Sequence, residues 1–286
     1  MDIWIVGLGK ATIIYAVPLI FAALGGLFSE RSGIVNIGLE GMMTGGAFFA
    51  IYGSDVGGSS IVGVLFAVAA GMALAAIHAV ATITFHADQI ISGTAIVLIA
   101  AGLINFLNLN LFGPNGSPAS LAVPAKVGGI SVLVLLAIAA VVVTQYVVFR
   151  TPFGLRLRSV GEHPRAADTV GISVVRYRYI GVLVSGALAG LGGAFISFNV
   201  SSYSEGMVAG NGYIALAALI IGKWKPMGCV LASLLFGLSQ GLVARVHGVS
   251  PDLISMLPYV ITLIVLVGFV GKSIAPAAAG KPYDAH

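Results

Sequence analysis

The sequence predicts an all-α integral membrane protein, a polytopic bundle of about nine apolar helical segments, and two observations lead to this fold class. Hydrophobic residues make up 58% of the 286 residues and charged residues only 8%, whereas a soluble domain carries about 25% charged residues. Apolar segments of the length that spans a bilayer, ~17–25 residues, recur along the whole chain. We therefore expect a single transmembrane domain over residues 1–286, without a soluble catalytic domain.

The segments follow one another with short polar connections. The seventh segment is short, because its twelve residues would rise only ~18 Å as a helix, less than the ~30 Å hydrocarbon core. It is expected either to re-enter the membrane or to meet water early. The tail over 275–286 is rich in Ala, Pro and Gly and is expected to be disordered. The approximate segment bounds are 10–28, 34–53, 59–84, 89–112, 128–149, 179–199, 211–222, 227–246 and 252–271.

The basic residues orient the bundle. The longest polar connection, 150–178, holds six of the 14 Lys and Arg residues, and the positive-inside rule assigns such a connection to the cytoplasm. Alternation from there predicts an N-terminus outside and a cytoplasmic C-terminus. The six residues are Arg150, Arg156, Arg158, Arg165, Arg176 and Arg178.

The stretch 31–48 carries polar residues inside an apolar segment. Asn36 and Glu40 are four apart and would share one face of a helix. A carboxylate within a membrane costs about 2.5–3.5 kcal/mol and usually faces a bundle interior or a wet cavity. We expect a glycine-broken segment that lines a transport path with Asn36, Glu40, Thr44 and Phe48. The alternative is that Glu40 lies at the cytoplasmic interface, where it caps a helix or pairs with Arg31 or Lys10. The glycines that would break the segment are Gly33, Gly38, Gly41, Gly45 and Gly46.

Two further patterns concern the interior of the bundle. Asn105 and Asn108 are three apart near the outer end of the fourth segment, where they are expected to form either a polar rim on the path or interhelical hydrogen bonds. The pairs Gly186/Gly190 and Gly237/Gly241 have the small-xxx-small spacing that lets helices approach closely. The histidines have no metal-ligand spacing, and the sequence contains no phosphate-binding loop or hydrolase motif.

The 150–178 connection contains the signature of a short helix. Pro164 suits a first helical turn, and Gly171 suits a helix end, which predicts a helix over about 164–170 that presents Ala166 and Ala167 to a partner. One interpretation is an interfacial amphipathic helix with snorkelling arginines. The other is a coupling helix, a small-residue knob that docks into a groove of a cytoplasmic motor.

Three stretches resemble a known family. Gly161-Glu-His-Pro-Arg-Ala-Ala…Gly171-Ile-Ser resembles the cytoplasmic coupling loop of permease subunits of ABC importers for branched-chain amino acids, simple sugars and nucleosides. His163 stands where Asn is commoner. The stretch Arg31-Ser-Gly-Ile-Val-Asn-Ile-Gly-Leu-Glu-Gly-Met-Met resembles the nucleoside-type permeases of that family most closely. Residues 212–224 resemble the short seventh element, so the likeness covers nearly the whole chain.

The resemblance implies a non-enzymatic, type II-like permease in a bacterial plasma membrane, without a cofactor of its own. ATP and Mg²⁺ would be bound by partner ATPase subunits. Other implied partners are a second, usually different permease, an external substrate-binding protein or lipoprotein, and the bilayer, but no nucleic acid. The residues implied in ATPase coupling are Gly161, Glu162, His163, Pro164, Arg165, Ala166, Ala167 and Gly171.

The implied substrate is a nucleoside, of the purine type. Its hydroxyls and base fit the amides, hydroxyl and ring face offered by Asn36, Asn105, Thr44 and Phe48. A simple sugar carried by the same importer class is the alternative. A proton-coupled secondary transporter with Glu40 as the proton site is more remote, because it leaves the arginine-rich connection unexplained.

Overall fold

The structure is a computed structural model that describes residues 2–113, 121–243, 256, 260, 264 and 273–283. The described residues form ten α-helices and one small hairpin. The helices are α1 (Asp2–Arg31), α2 (Leu39–Gly57), α3 (Ser60–Ala79), α4 (Gln89–Phe112), α5 (Val132–Arg150), α6 (Pro152–Glu162), α7 (Pro164–Thr169), α8 (Val174–Val200), α9 (Asn211–Ile221) and α10 (Pro226–Val243). A π-helical turn (Val80–Thr84) extends α3, and the antiparallel strands β1 (Lys126–Val127) and β2 (Ile130–Ser131) precede α5.

Six of the described helices, α1, α3, α4, α5, α8 and α10, are long and apolar enough to cross a membrane. The second predicted segment forms α2, of 19 residues, and the seventh forms α9, which with 11 residues is shorter than a bilayer. The ninth, 252–271, lies outside the described residues except for Met256, Val260 and Ile264. The predicted class, a multi-pass helical membrane protein, is confirmed.

The centre of the bundle is formed by α1, α2 and α8. Most of the apolar window of α1 (72%) and of α8 (61%) is buried, against 28%, 28% and 22% for α3, α4 and α5. The outer faces of these three helices carry large exposed apolar side chains, such as Leu65, Ile91 and Val142. Contiguous apolar surfaces of this kind contact lipid or another subunit.

The glycines of α2 serve close helix packing. A Cβ on Gly46 would collide with the backbone of Gly190 in α8, and one on Gly41 would lie 2.9 Å from the Ile96 oxygen in α4. The helix runs without interruption from Leu39 to Gly57, so the expected break is confined to residues 32–38. Only Gly33, with φ +96°, needs the conformational freedom of glycine in that link.

The predicted small-residue contacts are present. Gly186 of α8 packs against the Gly71 backbone of α3, so that no side chain fits at either position. Gly237 of α10 packs in the same way on the Thr12 backbone of α1. The prediction of a bundle held by close backbone approach is confirmed.

The C-terminal segment 273–283 packs against α6 and α7, which differs from the disorder expected over 275–286. The Ala278 N–H donates to the Gly161 oxygen (2.9 Å), and the Ala277 N–H donates to the Glu162 carboxylate (3.2 Å). The Tyr283 hydroxyl donates to the Asp168 carboxylate, and this hydrogen bond raises the pKa of Tyr283. These contacts hold a segment that the composition alone marks as irregular, and residues 284–286 lie outside the described residues.

Candidate functional site

The link between α1 and α2, residues 32–38, is held by buried polar side chains of α3 and α4. The Val35 N–H donates to Gln89 Oε1 over 2.7 Å, and the Val35 oxygen lies 3.2 Å from His78 Nε2. The other ring nitrogen of His78 lies 2.9 Å from Ser92 Oγ. Backbone groups freed from a helix need such partners when they are buried. Side chains from two helices therefore fix this non-helical link.

Asn36 lies in the link and is fully buried. Its Nδ2 donates to Ser185 Oγ of α8 over 2.9 Å. Its Oδ1 has no hydrogen-bond partner among the described residues, and the same holds for Gln89 Nε2 and Asn108 Oδ1. Because a buried polar atom without a partner costs about 1–3 kcal/mol, such groups are expected to be satisfied by water or by a ligand.

Asn36 and Glu40 do not share a helical face, contrary to the expectation. Asn36 precedes α2, whose first residue is Leu39, so the spacing of a helix does not apply to the pair. Asn36 is directed towards α8 and Glu40 towards α9. The helix begins three residues later than the pattern required.

Glu40 caps the start of α9. Its carboxylate accepts the N–H of Gly210 over 2.8 Å and that of Gly212 over 2.7 Å. The negative charge thus lies at the positive end of a helix dipole and satisfies two of the free N–H groups there. The sequence left two interpretations of Glu40 open, a residue of the transport path or a helix cap at the cytoplasmic interface. The observed contacts have the geometry of a helix cap, and the capped helix is α9. A Cβ on Gly212 would lie 2.5 Å from Glu40 Cα, so the contact requires glycine.

An aromatic cluster lies further along α2. Phe48 is fully buried. Its ring stacks on Tyr52 with centroids 6.2 Å apart, and meets the edges of Phe112 (6.0 Å) and Tyr203 (5.4 Å). Glu40, Thr44 and Phe48 follow at intervals of four and share one face of α2. This face therefore runs from the cap of α9 to the aromatic cluster.

The asparagines predicted to line the path from α4 lie close to the aromatic cluster, which includes Phe112 of the same helix. Asn108 is buried, one helical turn before Phe112, and Asn105 is half-buried. Thr44, on α2, donates to the Glu40 backbone oxygen over 2.9 Å, an ordinary bond within a helix. The structure thus divides the predicted path residues into a link end with Asn36 and Glu40, and an aromatic end with Phe48 and Asn108.

A second clamp, which the sequence did not suggest, holds the other end of α9. Trp224 Nε1 donates to the buried Glu30 carboxylate over 2.6 Å. Arg31 Nη2 donates to the Trp224 oxygen over 2.9 Å. The adjacent Glu30 and Arg31 at the end of an apolar segment were the only signal in the sequence. Together with Glu40, they fasten both ends of α9 to the α1–α2 region.

The helix predicted over 164–170 is present as α7, which begins at Pro164 and ends before Gly171, with φ +80°. Ala166 is exposed, whereas Ala167 is buried against Val160 and Val174. The expectation that both alanines face a partner is therefore wrong for Ala167, which packs inward to hold α7 on α6 and α8.

The start of α7 is tied to the centre of the bundle. Glu162, the last residue of α6, forms an ion pair with Arg31 at 3.7 Å. Gly161 lies so close to the Arg31 backbone oxygen that a side chain would not fit. Beside α7 lies an open hollow of about 340 Å³. Its lining is Ser159, Glu162, His163, Ala166, Ala167, Val170 and Ile172.

Comparison with known proteins places this arrangement in a family. The chain is 42% identical over 302 residues to the guanosine ABC transporter permease protein NupQ of Bacillus subtilis, covering 96% of this chain and 95% of that protein. It is 44% identical to the nucleoside ABC transporter permease protein NupC of Lactococcus lactis, covering 95% and 94%. The putative glucose ABC transporter permease protein TsgC13 of Haloferax volcanii is 33% identical, with 91% and 90% covered.

The family model that describes the permease component of branched-chain amino acid transport systems matches residues 10–266. This match extends from the first turns of α1 past the end of α10, and it includes the link, both clamps of α9, and α7. The chain therefore belongs to the family of permease components of branched-chain amino acid transport systems.

Proposed function

We propose that this chain is the permease subunit of an ATP-driven ABC importer that carries a nucleoside, of the purine type. The observation that carries the proposal is the similarity over almost the full length to two permeases named for guanosine and for nucleosides, at 42% and 44% identity. The permease named for glucose is less similar, at 33%. In this role the chain is a transport component, and ATP hydrolysis belongs to partner subunits.

We assign the translocation path to the link between α1 and α2, one face of α2 and the neighbouring end of α4. Asn36, Glu40, Thr44 and Phe48 would line it, with Asn105 and Asn108 at the far end. Support comes from the buried oxygens of Asn36 and Asn108, which have no partner in the described part of the chain and can accept hydrogen bonds from ribose hydroxyls or a base. Asn36 and Phe48 are fully buried, so in this role a movement of α2 would have to expose them to the substrate.

The two clamps indicate how such a movement would be transmitted. Glu40 fixes the start of α9, and Glu30 with Arg31 fixes the turn after it. Arg31 is also paired with Glu162, next to α7. A displacement of α7 would therefore act on the α1–α2 link and α9 together. This chain of contacts supports α7, with the exposed Ala166, as the element on which an ATPase subunit acts.

The remaining partners are proposed by analogy with the family. ATP and Mg²⁺ would be bound by two ATPase subunits against α7, on the cytoplasmic side of a bacterial plasma membrane. The exposed apolar faces of α3–α5 offer contact surfaces to lipid and to a second, different permease. A binding protein or lipoprotein would deliver substrate from outside. In the orientation that we propose, the N-terminus is outside, the C-terminus is cytoplasmic, and nine segments cross or enter the membrane.

The substrate is tested by uptake in cells that lack nucleoside importers. The chain would be expressed together with candidate ATPase, second permease and binding-protein subunits. Labelled guanosine uptake would be competed with inosine, uridine, ribose and glucose. We expect purine nucleosides to compete and the two sugars to fail. Uptake of labelled ribose or glucose without guanosine uptake would overturn the nucleoside assignment in favour of the sugar alternative.

A further inference from the structure

Arg178 is a buried cation without a matching anion among the described residues. It is the fifth residue of α8 and only 1% exposed. Its Nε and Nη2 have no hydrogen-bond partner in the part of the chain that the structure describes. Its guanidinium lies over the Tyr283 ring at 5.8 Å, a contact that cannot neutralise it. A buried charge is strongly destabilising unless it is paired and hydrogen-bonded.

A cavity of about 460 Å³ opens beside Arg178, between the start of α7 and the C-terminal segment 273–283. Arg165 and Lys281 also line it, so that three cations border one space. Glu162 is the acidic residue among the lining, but its carboxylate already pairs with Arg31 and accepts the Ala277 N–H. The neighbouring Asp168 accepts the Tyr283 hydroxyl. Among the described residues, the lining sets three cations against the one carboxylate of Glu162, so the cavity has an excess of positive charge.

We propose that this cavity binds a phosphate-type oxyanion, with Arg178 at its floor and Arg165 and Lys281 at its rim. A guanidinium presents N–H groups in a planar fork that matches phosphate oxygens. The anion would bridge α7, α8 and the segment 273–283, because each contributes one of the cations. Its binding would fasten the C-terminal segment to the helix on which the ATPase is proposed to act. A soluble phosphate and a lipid headgroup offer the same chemistry.

The test uses the full chain purified in a neutral detergent. Its melting temperature is measured with increasing inorganic phosphate against chloride at equal ionic strength. The same chain is also placed in nanodiscs of neutral lipid, with and without phosphatidylglycerol. We expect stabilisation by several degrees in at least one arm. An effect of inorganic phosphate identifies a soluble anion as the ligand, and an effect of phosphatidylglycerol alone identifies a lipid headgroup.

Variants separate the cavity from general charge effects. The exposed rim pair Arg165→Gln/Lys281→Gln is expected to fold and to lose the stabilisation. The pair Arg150→Gln/Arg156→Gln removes the same charge from exposed positions outside the cavity and is expected to keep it. Equal effects in both pairs, or no stabilisation of the native chain in either arm, would overturn the proposal.

Asp284 follows the segment 273–283 and is one alternative source of an anion within the chain; it lies outside the described residues. Asp284→Asn is expected to leave the phosphate effect intact. If this substitution instead lowers the melting temperature and phosphate has no effect on the native chain, Arg178 is paired within the chain and the oxyanion site is refuted.

Discussion

The Glu40 carboxylate of α2 accepts the backbone N–H of Gly212 in the first turn of α9, over 2.7 Å. A contact between residues 172 positions apart thus joins an acid within an apolar stretch to the start of the short seventh element. With Trp224 held by Glu30 beyond the other end of α9, this helix cannot shift without the α1–α2 region. The predictions below test these contacts and the function proposed for them.

Replacing Glu40 by Leu leaves the N–H groups of Gly210 and Gly212 without their acceptor. Since an unsatisfied buried group costs about 1–3 kcal/mol, we expect a clear fall in the melting temperature of the purified chain, together with a loss of transport. Glu40→Gln keeps one acceptor oxygen, so its melting temperature should lie between those of the native chain and Glu40→Leu. Glu205→Leu, at an exposed position, is the control and should change little. An unchanged melting temperature for Glu40→Leu would contradict the capping role.

Trp224→Phe keeps a ring but removes the N–H that donates to Glu30. The buried carboxylate then loses its partner, and we expect a destabilisation of about 1–3 kcal/mol. The chain's other tryptophan, Trp4, is 51% exposed, so Trp4→Phe is a matched control with little expected effect. In a double-mutant cycle, Glu30→Leu should lower the free energy of unfolding by less in the Trp224→Phe variant than in the native chain. If the two changes in the free energy of unfolding were strictly additive, the two residues would not interact.

The two alanines of α7 should respond differently to arginine. Ala166 is exposed, so Ala166→Arg is expected to leave the melting temperature unchanged while abolishing co-purification of the ATPase in a detergent pull-down. Ala167 is 3% exposed, so Ala167→Arg should instead destabilise the chain by overpacking, by about 1–3 kcal/mol or more. Full retention of the ATPase by a folded Ala166→Arg variant would contradict the proposed docking at α7.

Asn36→Leu separates a transport role from a packing role. The substitution removes the hydrogen bond to the buried Ser185, but it also removes an Oδ1 that has no partner among the described residues, so we expect a loss of stability of no more than about 1–3 kcal/mol. Nucleoside uptake should nevertheless fall at least about tenfold, which corresponds to the loss of one good hydrogen bond to the substrate. Asn110→Leu, at an exposed position of α4, is the control. Normal uptake by Asn36→Leu would remove Asn36 from the path.

The sequence predicted the apolar spans, the short element α9, the helix α7 and the small-residue packing, because each depends on local composition or spacing. The partners of Asn36 and Glu40 could not be predicted in this way, since Ser185 and Gly212 are 149 and 172 positions away in the chain. The α2 glycines were ambiguous for a different reason. A missing Cβ permits both an irregular backbone and a close helix contact, and only the neighbouring helices decide between them.

The central claim, that the chain carries a nucleoside at the expense of ATP, is tested most directly in proteoliposomes. These would contain this chain, the second permease and the ATPase, with binding protein outside and ATP inside. The account predicts guanosine accumulation that requires ATP hydrolysis and is unaffected by collapse of the proton gradient. Accumulation driven by a proton gradient in liposomes that contain this chain alone would contradict it.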